Sequence, residues 1–106
     1  MEKYTDCIEE IVEKIDVVST ILYQGNYDKK ELNDITEKFI VFSGGFNDLT
    51  QNGILNDERI AELLNVFKSI LEYMECEDRV MIADILKYEL KEKLIDIKEN
   101  IRCASL

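Results

Sequence analysis

The chain contains no histidine, no proline and no tryptophan. Without histidine it lacks the usual general base, the commonest transition-metal ligand and the usual physiological pH switch. Without proline, helix ends must be read from the four glycines and from capping residues. Basic residues are scarce, 13 against 23 acidic ones, giving a formal charge of −10. Such a surface repels phosphate backbones and anionic lipid, so neither nucleic acid nor a membrane is expected as a partner. No apolar run approaches the roughly 20 residues of a membrane span, and no basic start leads into an export-type apolar stretch. A cytoplasmic location is expected.

What is present suits one soluble domain over residues 1–106, with 46% apolar and 34% charged residues. Residues 78–106 hold six acidic and six basic residues, so the excess negative charge lies entirely in residues 1–77. Cys7, Cys76 and Cys103 are odd in number and lack metal-ligand spacing, which reads as reduced, buried or half-buried thiols. If helices run up and down, Cys7 and Cys103 share one end and Cys76 occupies the other. Only the first two can then form a redox pair.

Helical periodicity dominates from the start. Tyr4, Ile8, Ile11, Ile15, Val18 and Leu22 recur at steps of four and three, giving a first helix of about 20 residues ended by Gly25. The β-branched run from Val17 to Ile21 lies inside that period and has no strand to pair with. Asp28 and Glu31 have capping-box spacing and open a second helix with the stripe Leu32, Ile35, Phe39, Phe42, Phe46 and Leu49. That stripe runs straight through Gly44 and Gly45, which predicts an unbroken but weakened or kinked helix. The glycines leave room either for a bulky aromatic from a neighbouring helix or for a hinge or pocket beneath Phe42 and Phe46.

Asn52 and Gly53 stop the second helix, and Asn56 caps the third, with Leu55 and Ile60 as a hydrophobic staple. Ile60, Leu64, Phe67, Leu71 and Met74 form its stripe, supported by Leu63 and Ile70. No glycine or proline marks its end, and only Asp78 reads as a cap for a fourth helix. Two arrangements follow. One is an all-α, antiparallel up-down four-helix bundle; the other is three helices with a fused third helix about 65 Å long. Short connections and similar helix lengths favour the bundle.

The last helix carries two apolar lines. Ala83, Leu86, Leu90, Leu94, Ile97 and Ile101 share a core face, while Met81, Ile85, Tyr88 and Ile95 lie roughly opposite. Each helix of a four-helix bundle has a solvent side, so Met81, Ile85, Tyr88 and Ile95 are expected to form a self-association or partner-binding surface. Lys87, Glu89, Lys91 and Glu92 frame it as a charged rim. Asp84 sits where Lys87, Tyr88 and Lys91 can pair with it along the helix.

The segment Asp78-Arg79-Val80-Met81-Ile82-Ala83-Asp84-Ile85-Leu86-Lys87-Tyr88-Glu89-Leu90 resembles one that recurs in an uncharacterised family of small acidic helical proteins from Gram-positive bacteria, with Gly25-Asn26-Tyr27 as looser support. The resemblance implies a helical domain and no activity. No catalytic, cofactor or metal residue is carried over from it.

The clustered carboxylates of the first helix, Glu9, Glu10, Glu13 and Asp16, lack the histidines of a di-iron site and read as a solvated face. Gly44-Gly45 lacks the Lys-Ser/Thr ending of a phosphate loop. The expected function is therefore protein–protein interaction without catalysis or cofactor, through a homodimer or an adaptor or chaperone-like role. The competing readings are a small-molecule or metal-binding bundle and an acidic inhibitor of a basic protein. A polar cavity with convergent carboxylates beside Gly44 and Gly45 would favour the small-molecule reading; a filled aromatic core there would favour interaction.

Overall fold

The computed structural model describes residues 1–105, and no strand occurs among them. In chain order the helices are α1 (Glu2–Tyr23), α2 (Lys29–Ser43), the short α3 (Phe46–Gln51), α4 (Asp57–Glu75) and α5 (Arg79–Ile85). The last of these continues through a π-turn (Leu86–Leu90) into α6 (Lys91–Ser105). The all-α expectation holds. The fused third helix is excluded, because the longest dimension of the molecule is 42 Å.

Contacts between helices give their directions. Lys14 reaches Glu31 while Glu10 meets Lys38, so α1 and α2 run oppositely. Asp16–Lys91 and Glu9–Lys98 make α1 and α6 antiparallel as well, and Glu62–Lys93 with Arg59–Asp96 do the same for α4 and α6. The core fills the space between them. On α1, Ile8, Ile11, Ile15, Val18 and Leu22 are buried; on α2, Leu32, Ile35, Phe39 and Phe42; on the last helix, Leu86, Leu90, Leu94, Ile97 and Ile101.

The helix ends follow local chemistry. Asp28, Asn56 and Asp78 each accept a hydrogen bond from the backbone N–H three residues on, as N-caps do. Glu31 supplies only half of its capping box, since its carboxylate is bound to Lys14. Gly25 and Gly53 close their helices with positive φ. The end of α4 uses the same closure without a glycine. Glu77 takes φ 52°, its N–H bonds Met74 O at 3.1 Å, and the Asp78 N–H bonds Tyr73 O at 3.1 Å. A left-handed glutamate does a glycine's work there, which is why composition alone leaves the boundary unmarked. Glu77→Gly should stabilise the fold by about 1 kcal/mol by relieving the Cβ clash of that conformation. Unchanged or lower stability in thermal unfolding would contradict the assignment.

The glycine step interrupts the second helix, against the expectation of an unbroken one. Gly44 and Gly45 bond back to Val41 O and Phe42 O, a tighter i to i−3 pattern, before the Leu49 N–H bonds Gly45 O and helical bonding resumes. The apolar stripe survives because Gly44 keeps helical dihedrals and Gly45 departs from them only as far as φ −95°, ψ 3°, and Leu49 is fully buried. The occupant of the space is an aromatic ring from α1. A Cβ on Gly45 would lie 2.7 Å from Tyr4 Cζ, and the Tyr4 hydroxyl donates to Asp48 Oδ2 at 2.8 Å. Gly45→Ala should therefore destabilise by about 1–3 kcal/mol through overpacking, despite alanine's better helix propensity. In a Tyr4→Ala background the same change should become neutral or stabilising. Equal effects in both backgrounds would show that the ring does not set the glycine requirement.

Candidate functional site

The expected docking line on the last helix divides at the π-turn. Met81 is half-buried and Ile85 is 5% exposed, whereas Tyr88 and Ile95 are 60% and 39% exposed. Ile85, together with Ile82 and Ala83, lies inside because α5 packs against both α1 and α4. Ile85 therefore belongs to the interior while Met81 stays half-buried, and the four residues do not form one exposed surface. The underlying cause is periodicity. Ile82, Leu86, Leu90 and Leu94 are all fully buried at successive steps of four, a spacing that drifts by about 120° over a straight α-helix. The π-turn unwinds that drift; the Lys91 N–H reaches five residues back to Leu86 O.

The outer side of the π-turn carries a polar aromatic cluster. The Tyr23 hydroxyl on α1 donates to Asp84 Oδ1 at 2.5 Å. Lys87 Nζ lies 5.9 Å from the Tyr23 ring centre and 5.4 Å from that of Tyr88. Asp84 is thus held by a residue of another helix, not by its own Lys87, Tyr88 or Lys91; Lys91 binds Asp16 instead. The bond to Asp84 pushes the Tyr23 hydroxyl up to about 12 from 10.0, with burial and the nearby carboxylate charge adding to the shift. Its folded pKa lies above its unfolded one, so its contribution is complete below pH 10 and is lost as pH rises from 10 to about 12. Ultraviolet difference titration should find Tyr23 ionising last in that window, and Asp84→Asn should return the step toward 10. A titration unaltered by Asp84→Asn would refute the coupling.

Three of the four seams between neighbouring helices are laced by ion pairs. Lys14 binds Glu31 at 2.7 Å and Asp34 at 3.2 Å across α1 and α2. Asp16–Lys91 (2.7 Å) and Glu9–Lys98 (3.0 Å) cross α1 and α6, and Glu62–Lys93 (3.5 Å) crosses α4 and α6. Among the described residues no ion pair crosses α2 and α4. The backbones of these two helices stay apart, and aromatic rings span the gap: Phe39 and Phe67 stack at 4.4 Å and 9°.

The unlaced seam is apolar at its surface. Nine residues, about two and a half turns, separate Glu31 from Ile40 and Glu62 from Leu71, so each apolar residue lies opposite the acid that binds the other neighbour. Ile40 thus lies on the α4 side of α2, and Leu71, with Leu64 one heptad before it, on the α2 side of α4. Their exposures are 60%, 42% and 49%. The Phe39–Phe67 stack sets their level. Ile40 follows Phe39, and Leu64 and Leu71 lie one turn to either side of Phe67. The expected stripe on α4 is correspondingly turned by roughly 70°: the buried residues are Leu63, Val66, Phe67 and Ile70, while Leu64 and Leu71 emerge.

The other candidates hold less. Over Gly45 lies the Tyr4 ring, and Phe42 and Phe46 meet edge to face at 5.8 Å, so this corner is aromatic and filled. Glu9 and Asp16 of the acidic face are committed to lysines, and no group of three His, Cys, Asp or Glu among the described residues can hold a metal ion. All three cysteines are free. Cys7 is half-buried as expected, but Cys76 and Cys103 are exposed, one capping α4 and the other in the last turn of α6. No helix is long and apolar enough among the described residues to cross a membrane.

The signal for the open seam was present in the chain as the doubled apolar flank Leu63/Leu64 and Ile70/Leu71, which exceeds what one core line requires. Which flank would be covered depended on ionic partners 31 residues away, such as Glu62 and Lys93, and no local pattern carries that. No curated protein and no solved structure matches the chain. The family described as Domain of unknown function (DUF8042) matches residues 1–100, and the chain belongs to that family.

Proposed function

We propose that the protein is a non-catalytic interaction module of the cytoplasm, acting as an adaptor or chaperone-like partner whose docking face is the α2–α4 seam. The observation that carries this reading is the contrast between seams: three are laced by ion pairs, and the fourth exposes Ile40, Leu64 and Leu71 over a stacked aromatic floor. Exposed apolar side chains grouped at one level of one seam are the usual mark of a protein contact. The acidic surface disfavours nucleic acid and anionic membranes. The filled corner at Gly45 gives a small molecule no room beneath Phe42 and Phe46.

The Tyr23–Lys87–Tyr88 cluster is a second exposed feature. It is less suited to docking, because its cation and its carboxylate already satisfy the tyrosines.

Photo-crosslinking in the source cells tests the reading. A diazirine side chain at position 64 or 71 should capture a discrete polypeptide, and one at exposed Val17 on α1 should not. Equal, diffuse labelling from all three positions would remove the α2–α4 seam as a docking face.

A further inference from the structure

We propose that the occupant of the α2–α4 seam is a basic amphipathic helix from another protein. The inference rests on the interaction reading above and adds the chemistry of the partner. The shape of the seam selects a helix. Its two walls are antiparallel helices whose backbones stay apart, with Phe39 and Phe67 as floor, and the described residues offer no sheet edge on which an extended peptide could pair. Leu64 and Leu71 are seven residues apart, so they stand about 10.5 Å apart along α4. Apolar residues at positions i, i+4 and i+7 of an incoming helix repeat that interval.

Charge selects the sign of the flanks. Glu75 on α4, one turn beyond Leu71 on the same flank, is exposed and engaged in no ion pair among the described residues. Lys68, between Leu64 and Leu71, is the cation on this stretch of α4, and its aliphatic stem can lie along the apolar surface while the ammonium stays in water. The whole molecule adds a field of −10, which attracts lysine- and arginine-flanked helices and opposes a second copy carrying the same charge.

Fluorescence anisotropy with synthetic helices of about 20 residues tests the proposal, a length of about 30 Å. One peptide carries leucines at i, i+4 and i+7 with lysine and arginine flanks; a second has glutamate flanks; a third keeps the composition of the first with its leucines dispersed. The full chain should bind the first at least tenfold more tightly than either of the others. The double variant Leu64→Gln with Leu71→Gln keeps the net charge, and both side chains are exposed, so circular dichroism should find it folded. It should lose at least tenfold in affinity for the first peptide. Equal binding by the double variant would mean that the field alone holds the peptide, and the proposal would fall. Sedimentation showing a stable dimer that the double variant disrupts would assign the seam to a second copy, overturning the basic-helix proposal while leaving the interaction reading intact. If none of the peptides binds and the chain sediments as a monomer, the basic helix is overturned, and the interaction reading then stands or falls on the crosslinks from positions 64 and 71.

Discussion

Each long helix carries more apolar surface than one seam can cover, and its charged residues decide which flank is left over. Glu62 meets Lys93 and so turns one side of α4 to the last helix; Glu31 and Asp34 meet Lys14 and turn one side of α2 to α1. The flanks opposite those acids, with Leu64 and Leu71 on one helix and Ile40 on the other, are what remains. The pairs themselves lie at the surface, where solvent screens them, and contribute little stability. Their effect is rotational. Burial of residues such as Ile11, Leu49 and Leu94 supplies the stabilising free energy, and the ion pairs mark which flank of each helix faces which neighbour.

The same selection explains the two irregular places in the fold. The last helix faces α1 and α4 along its length, and the π-turn between Leu86 and Leu90 keeps Ile82, Leu86, Leu90 and Leu94 on that buried side without breaking the helix. The second helix must pass beneath the Tyr4 ring, and the tight step at Gly44 and Gly45 gives it room. In both cases an irregular backbone preserves a regular line of buried side chains.

Much of the architecture was legible in the residues. The stripes of α1 and of the last helix, the caps at Asp28, Asn56 and Asp78, and the glycine stops at Gly25 and Gly53 depend on neighbours within a few positions, and such signals survive in a linear pattern. The aromatic that needs the glycine step could be anticipated by type, though its identity as Tyr4 could not. The docking residues were far less legible. Reading Met81, Ile85, Tyr88 and Ile95 as a surface assumed a straight helix with one covered side, and the π-turn and the double contact of α5 remove both assumptions. The stripe on α4 was misplaced for a related reason. Leu63 and Leu64 are equivalent in composition, and only the position of Lys93 in the folded chain distinguishes them.

The central claim is that the apolar flank between α2 and α4 is the working face of the molecule. Methyl chemical shifts read it most directly, because Ile40, Leu64 and Leu71 are exposed on that flank while Val17 and Ile95 are exposed elsewhere. On titration with a cationic leucine-striped helix, the account predicts shifts concentrated at Ile40, Leu64 and Leu71 that saturate together. Shifts concentrated at Ile95 and Val17, with the α2–α4 methyls unmoved, would contradict it.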